Sequence, residues 1–154
     1  MRIDPATFNR LTHDILGCAV TVHRHLGPGL LESTYQQCLQ FELASQSLRF
    51  VAQRTLPIVY KGIALDASYR VDLVVEDRVV VEVKSVAMLA PVHQAQVLTY
   101  LRLTGCPAGL LINFNVARLM DGVKRLINAR ANGDDSDNGC TQSNRATAKA
   151  CINP

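Results

Sequence analysis

The stretch from Tyr69 to Lys84, YRVDLVVEDRVVVEVK, limits what this chain can fold into more than any other segment. Two runs with alternating residues flank a polar break at residues 76–78, which is the pattern of two antiparallel strands joined by a short turn. A three-residue turn that pairs Val75 with Val79 gathers six apolar residues on one face, whereas a two-residue turn would mix charges with valines on both faces. The six are Val71, Leu73, Val75, Val79, Val81 and Val83.

The same register places two carboxylates on the other face of the hairpin. Asp72 then lies opposite Glu82, with the two Cβ atoms about 5 Å apart. The carboxylates repel each other, and more strongly if Val74 and Val80 are covered, so a cation is expected between them. Lys84 is one candidate, and a divalent ion with oxygen ligands is another. A solvated strand face with an ordinary Glu82–Lys84 ion pair explains these residues equally well.

Length and composition exclude several classes of protein. The 154 residues are a one-domain length, and 48% of them are hydrophobic, which is enough for one core. No apolar run approaches the roughly 18 residues of a membrane span, and MRIDPATFNR lacks the apolar core of a signal peptide. We therefore expect a cytoplasmic protein with no membrane partner.

Cysteine usage and net charge add weaker limits. The five cysteines are odd in number and show no CxxC spacing, which favours reduced thiols over a disulfide framework, a zinc site or an iron–sulfur cluster. The net charge of +3 permits a nucleic-acid partner without indicating one.

Asp4 and Pro5 mark the start of a first helix, because Asp is a favoured N-cap and Pro suits the first helical position. Apolar residues recur at helical spacing until Gly27-Pro28 ends the run. Three histidines of this segment have no spacing that would bring them to a carboxylate pair, so we expect them at the surface or at helix ends. They are His13, His23 and His25.

A second helix is predicted from Leu30 to about Ser47, with Gly29 as its N-cap. Glu32 falls in the first turn, where the helix dipole stabilises a carboxylate. That dipole is by itself a sufficient structural reason for an acid at this position.

Further strands and turns complete the prediction. A strand at about residues 50–59 contains Pro57, which suggests an edge position, and Lys61-Gly62 is a turn signal before the strand that starts at Tyr69. The apolar run at residues 108–114 suits an interior strand, parallel to its predecessor because a helix separates the two. Residues 123–127 could form a last strand or a helix turn, and we favour the strand.

The third helix, between Pro91 and Gly105, has polar groups in the middle of its apolar face. His93, Gln96 and Tyr100 fall in one sector at 100° per residue. A buried Gln and Tyr need hydrogen-bond partners, which a cleft lined by carboxylates or phosphates would supply. An ordinary core Tyr beside a boundary Gln explains the pattern as well.

The composition changes at Ala131. From there the chain is rich in Asn, Gly, Asp, Ser and Thr and has hardly any large apolar residue, so it cannot bury enough surface to become ordered. The predicted organisation is one domain at residues 1–130 and a disordered polar tail at residues 131–154. We assign the tail no function.

Residues 29–35, GLLESTY, resemble the pattern that names the GxxExxY proteins, small relatives of the PD-(D/E)XK nuclease superfamily. The resemblance covers the chain to about Asn128. It extends through Tyr60-Lys61-Gly62, Asp72 with Glu82-Val83-Lys84, the helix from His93 to Leu101, and the run from Gly109 to Phe114. One departure is Val71, where the superfamily motif usually has Pro before the Asp.

The resemblance implies an α/β fold with a restriction-endonuclease-like core, in which helices flank a central mixed β-sheet. It also implies a metal-dependent phosphodiesterase site with Mg²⁺ or Mn²⁺ as cofactor. Asp72 and Glu82 would be metal ligands together with the backbone carbonyl of Val83. Lys84 would orient the attacking water or stabilise charge on the phosphate, and Glu32 would reach the metal directly or through a water.

The resemblance gives further residues a role in substrate binding. Gln96 and Tyr100 would position the nucleic-acid backbone or the site itself, and His93 and Arg70 are further candidates. The spacing Gln96-x-x-x-Tyr100 also resembles the third motif of RecB-like exonucleases.

Three functions follow as hypotheses. The first is a Mg²⁺- or Mn²⁺-dependent nuclease acting on DNA in repair or defence, with an exonuclease favoured by the RecB-like motif. The second is a non-catalytic nucleic-acid-binding module, although binding alone gives no reason to hold two acids beside a lysine. The third is an accessory subunit that keeps the nuclease fold. Because the domain is small, a homodimer or a partner protein that adds DNA contacts is also expected.

Overall fold

The computed structural model describes residues 4–132, and a mixed sheet lies at its centre. The elements in chain order are α1 (Pro5–Leu26), α2 (Glu32–Ser45), β1 (Phe50–Tyr60), β2 (Ile63–Val75), β3 (Val79–Lys84), α3 (Pro91–Thr104), β4 (Ala108–Asn113) and β5 (Val123–Ile127), with 3₁₀ turns at Leu119–Gly122 and Ala129–Asn132. Within the described residues the sheet has five strands in the order β1-β2-β3-β4-β5. Helices α1 and α2 cover one face, and α3 covers the other. The predicted α/β class is therefore confirmed.

The helix ends follow the capping signals with one exception. The Asp4 carboxylate accepts hydrogen bonds from the amides of Ala6 and Thr7, and α1 ends at Gly27. Helix α3 begins at Pro91 and ends at Gly105, which has the left-handed φ of 73°. The predicted N-cap of α2 is wrong, because Leu31 holds that position and Gly29 turns the preceding loop with φ 97°.

The predicted register of the central hairpin is confirmed. Val75 pairs with Val79 and Leu73 with Val81 in an antiparallel ladder. Five of the six expected apolar residues pack with α1 and α2, but Val71 packs in the core on the α3 side. The alternation breaks at Asp72. Asp72 lies opposite Gln53 of β1, but the two do not form a register pair, and Gln53 has a positive φ of 53°. This irregularity changes the face on which Val71 lies.

Strand β2 is longer than predicted. It begins at Ile63 rather than Tyr69, and it pairs with the edge strand β1 up to a tight turn at Lys61-Gly62. The edge position of β1 agrees with the inference drawn from Pro57. In the described sheet, residues 57–68 pair only with each other, and we call this two-stranded extension the hairpin arm.

Strands β3 and β4 are parallel neighbours, as the intervening helix predicted, and β5 completes the sheet as an antiparallel strand. Helix α3 crosses β4 at Gly109, where a Cβ atom would lie 2.5 Å from Cγ1 of Val97. The absence of a side chain at Gly109 thus sets the distance between α3 and the sheet.

Gly109→Ala is expected to lower the free energy of unfolding by about 2 kcal/mol, because the added methyl group overpacks the interface between α3 and β4. Adding Val97→Ala should recover part of that loss by making room. Gly17→Ala is the control, since it adds a methyl group to helix α1 where no atom lies within 4 Å, and it should stabilise by about 0.5 to 1 kcal/mol. Urea unfolding measures all three; equal stability of Gly109→Ala and wild type would contradict the proposed close packing.

His23 lies in the last turn of α1, a helix end as predicted. Its ring is buried there, and its Nε2 lies 2.8 Å from the carbonyl oxygen of Val116. Cys18, Cys38 and Cys106 are free thiols. The predicted tail lies outside the described residues apart from its first two positions. Between residues 4 and 132, no helix combines the length and apolar character needed to cross a bilayer.

Candidate active site

Asp72 lies where the ladder between β2 and β3 ends. Its Oδ2 accepts a hydrogen bond of 2.9 Å from the amide of Val83, so a side-chain oxygen replaces the backbone acceptor that the next ladder pair would supply. Its Oδ1 lies 3.5 Å from the side-chain nitrogen of Gln53. The Asp72 carboxylate is therefore held in place by the strand that carries the other candidate ligands.

Glu82 projects from the middle of the sheet and is only 3% exposed. Its Oε1 accepts a hydrogen bond of 3.2 Å from Nζ of Lys84, whose side chain is 15% exposed. Its Oε2 is buried and has no hydrogen-bond partner among the residues that the structure describes. A buried carboxylate oxygen without a partner is costly, so this atom marks a place for a cation or a donor.

The electrostatics of Glu82 follow from this position. Burial raises the pKa of Glu82 to about 7, and repulsion from Asp72 adds to the rise, while Lys84 acts in the opposite direction. Both carboxylates also contribute to a raised pKa of Tyr100, although burial is the main cause there. The predicted repulsion between Asp72 and Glu82 is thus present, and Lys84 does not cancel the rise in pKa that burial and this repulsion cause together.

The stability of the metal-free protein is expected to fall as the pH rises from about 5 to 8. In this range the folded protein binds the Glu82 proton more tightly than the unfolded chain, because the pKa rises from 4.5 to about 7 on folding. The shift corresponds to roughly 3 kcal/mol at full ionisation. Thermal unfolding in EDTA should show this slope, and Glu82→Gln should flatten it; an equal slope in both proteins would contradict the assignment.

Glu32 begins α2, in the first turn as predicted, but its carboxylate already has a partner. Its Oε1 accepts a hydrogen bond of 3.1 Å from the amide of Ser85, the residue directly after β3. The Ser85 hydroxyl donates to the carbonyl oxygen of Leu30 at 2.6 Å. The start of α2 is therefore fastened to the end of the strand that carries Glu82 and Lys84.

Tyr35 has a structural role in the same region. Its ring is fully buried and stacks on Phe114 with the ring centroids 4.5 Å apart. Its hydroxyl accepts a hydrogen bond from the amide of Leu30 and donates one to the carbonyl oxygen of Gly27. Tyr35 thus fixes the loop before α2, and Gly29 provides the left-handed turn within that loop.

Gln96 and Tyr100, which the helical spacing placed in one sector of α3, are hydrogen-bonded to each other. The side-chain nitrogen of Gln96 donates to the Tyr100 hydroxyl at 2.7 Å, and that hydroxyl lies 3.4 Å from the carbonyl oxygen of Arg70. Arg70 itself is an exposed residue of β2. His93 lies at the start of α3, where its Nδ1 accepts a hydrogen bond of 2.9 Å from the amide of Ala90. This helix-capping contact leaves Nε2 of His93 as the atom for any further role.

Two glutamines connected to Asp72 were not among the site residues predicted from the sequence. The side-chain nitrogen of Gln53 donates to the side-chain oxygen of Gln36 at 2.7 Å, so a polar chain runs from α2 through β1 to Asp72. Gln36 lies four residues after Glu32, hence on the same side of α2, and this spacing was a usable signal. The sequence gives no comparable signal for Gln53, because its orientation depends on the irregular backbone.

A sequence profile of the PD-(D/E)XK nuclease superfamily matches residues 9–126, which is well over half of the chain. The chain belongs to the PD-(D/E)XK nuclease superfamily. The match spans every strand that carries a candidate residue, and it identifies the mixed sheet and its helices as a restriction-endonuclease-like fold. Searches of curated proteins and of solved structures gave no match. The narrower GxxExxY assignment stays a prediction.

The donor set agrees with the divalent metal that PD-(D/E)XK nucleases usually use. Two carboxylates and a backbone carbonyl are hard oxygen donors, and Mg²⁺ commonly binds one or two carboxylates and keeps several waters. In the described range, no three His, Cys, Asp or Glu side chains converge in a way that could hold a metal ion. Among the described residues, Glu32 therefore does not form a three-carboxylate cluster with Asp72 and Glu82, and this arrangement fits a contact of Glu32 with a bound metal through a water better than a direct one.

Proposed function

We propose that this PD-(D/E)XK protein is a cytoplasmic Mg²⁺- or Mn²⁺-dependent nuclease that hydrolyses phosphodiester bonds in DNA, in repair or defence. The observation that supports this most is the Glu82 carboxylate. One of its oxygens is held by Lys84, and the other is buried without a partner among the described residues. Repulsion from Asp72 further raises the free energy of ionised Glu82. A divalent ion between the two acids would contact the unpartnered oxygen and would also neutralise this repulsion.

The residues divide into ligands and charge-stabilising groups. Asp72, Glu82 and the Val83 carbonyl would hold the metal, with Glu32 acting through a water. Such an ion, when bound, lowers the pKa of a water and stabilises charge on the phosphate oxygens. Lys84, held by Glu82 at 3.2 Å, presents an ammonium where negative charge grows in the transition state.

The substrate side of the proposal involves α3 and the strand next to it. Gln96 and Tyr100 form a hydrogen-bonded pair beside the backbone of Arg70, and the exposed Arg70 side chain can contact a phosphate. Nε2 of His93 is a further donor or acceptor for the nucleic-acid backbone. The resemblance of Gln96-x-x-x-Tyr100 to the third motif of RecB-like exonucleases supports cleavage from an end of the DNA.

A panel of substrates tests the proposed function. Purified protein is incubated with Mg²⁺, Mn²⁺ or EDTA and with linear, circular and single-stranded DNA, and with RNA. We expect metal-dependent loss of linear DNA while covalently closed circles survive, since an exonuclease needs an end. Binding without metal-dependent cleavage would favour the non-catalytic module. Activity that appears only with a partner protein would favour an accessory subunit, and sedimentation tests for a homodimer.

A further inference from the structure

The hairpin arm, residues 57–68, begins at the candidate active site and extends away from the folded core. At its base, the ring of Tyr69 meets the ring of Tyr100 edge-on, with the centroids 5.8 Å apart. Every residue of β2 from Ile63 to Arg70 is exposed, whereas the same strand is largely buried from Val71 onward. The arm is therefore a two-stranded ribbon attached directly to the site.

The outer part of the arm exposes large apolar side chains on both of its faces. Tyr60 and Ile63 are register partners on one face and are 59% and 65% exposed. Val59 is paired with Ala64 on the other face and is 62% exposed. A self-complementary protein interface would concentrate such residues on one side. Two exposed faces instead suit a groove with two walls.

The charge of the ribbon is complementary to a polyanion. From Arg54 to Arg70 the two strands carry three basic residues and one acid, Asp66. Lys61 is at the turn, with its Nζ over the Tyr60 ring at 5.4 Å. A cation at the tip and Arg70 at the base could contact phosphates at both ends of a bound segment.

We propose that the hairpin arm binds in a groove of duplex nucleic acid next to the cleavage site. A two-stranded ribbon fits the major groove, and exposed apolar side chains can contact or wedge between bases. The proposal deepens the nuclease function and rests on it for the choice of partner. It assigns Lys61 to a phosphate and Tyr60 and Ile63 to the bases.

The length of the arm makes the proposal specific. Ile63 lies six residues before Tyr69, which is about 20 Å of extended strand. The phosphate that Lys61 contacts is then about six base pairs from the active site, at roughly 3.4 Å per base pair. A substrate with a single phosphodiester, such as bis(p-nitrophenyl) phosphate, is too small to contact Lys61 while it occupies the active site.

Binding without cleavage is measured first. Fluorescence anisotropy in EDTA gives the Kd of a 20-base-pair duplex for wild type, Lys61→Glu and the pair Tyr60→Ser with Ile63→Ser. Lys61→Glu is expected to raise Kd about tenfold and to reduce the salt slope by about one. The double variant with Tyr60→Ser and Ile63→Ser should raise Kd about fivefold and leave the salt slope unchanged. Lys124→Glu and Phe41→Ser are matched exposed controls and should leave Kd within twofold.

Cleavage is measured second. Both arm variants should cleave the duplex more slowly at subsaturating concentrations but hydrolyse bis(p-nitrophenyl) phosphate at the wild-type rate. A Kd for Lys61→Glu no higher than that for Lys124→Glu would overturn the proposal. So would arm variants that change only the sedimentation of the protein, since the arm would then bind a second copy.

The two proposals fail in different ways. Wild-type protein that binds the duplex through the arm, yet hydrolyses neither substrate with metal, would remove the nuclease function and leave the arm assignment intact. Metal-dependent cleavage that depends on Asp72 but not on Lys61, Tyr60 or Ile63 would overturn the arm and retain the nuclease.

Discussion

Asp72→Asn and Glu82→Gln are each expected to reduce metal-dependent DNA cleavage by about a thousandfold or more. Each change removes one negative charge from the proposed metal site and keeps the shape of the side chain. Groups that act together on a transition state lose most of their effect when any one of them is removed. Initial rates of cleavage of end-labelled DNA in Mg²⁺ measure the loss. Lys84→Ala should reduce the rate less than these two changes, by about a hundredfold or more.

A matched control separates this effect from damage to the hairpin. Asp77→Asn makes the same chemical change at an exposed position in the turn of the same hairpin, and it should keep the wild-type rate. In EDTA, Glu82→Gln and Asp72→Asn should melt at or slightly above the wild-type temperature at pH 8, because each relieves repulsion. A large drop in melting temperature would instead show that the two acids are structural.

Tyr35→Ala is expected to lower the free energy of unfolding by about 4 kcal/mol, the largest effect on stability that we predict. The change removes a fully buried ring, its stacking on Phe114 and two hydrogen bonds to the loop before α2. The melting temperature should fall by roughly 10 °C or more. Urea unfolding followed by circular dichroism gives the free energy.

Two variants refine the test of Tyr35. Tyr35→Phe keeps the ring and should cost about 1 to 3 kcal/mol, since the Leu30 amide and Gly27 carbonyl lose their partner. Tyr60→Ala removes the same side chain from the exposed arm and should change stability by less than about 0.5 kcal/mol. Similar losses at Tyr35 and Tyr60 would mean that the Tyr35 contacts do not stabilise the protein.

Local sequence signals were enough for most of the architecture. Strand alternation fixed the pairing of Val75 with Val79, and the Asp4-Pro5 and Gly105 signals fixed helix ends, because all these depend on neighbours within a few residues. The length of β2 was underestimated. The arm buries little apolar surface and so lacks the half-buried alternation by which strands are recognised.

The candidate site was only partly accessible from sequence. The two acids and Lys84 could be named because they lie in one hairpin of definite register. Gln53 and the displaced Val71 could not, since a backbone irregularity that no local signal encodes changes the direction of their side chains. His23 lies at a helix end as predicted, but its contact with Val116 could not be predicted because the two residues are far apart in the chain.

By itself, the sequence determined the central hairpin, the order of helices and strands, and the placement of two acids beside a lysine. These features follow from the short-range periodicity of side chains along the chain. Tertiary structure alone decided that Glu82 is buried with one unpartnered oxygen among the described residues, and that Glu32 binds the amide of Ser85. Burial and electrostatic coupling depend on how distant segments pack around a group, and the spacing of residues along a chain does not contain that information.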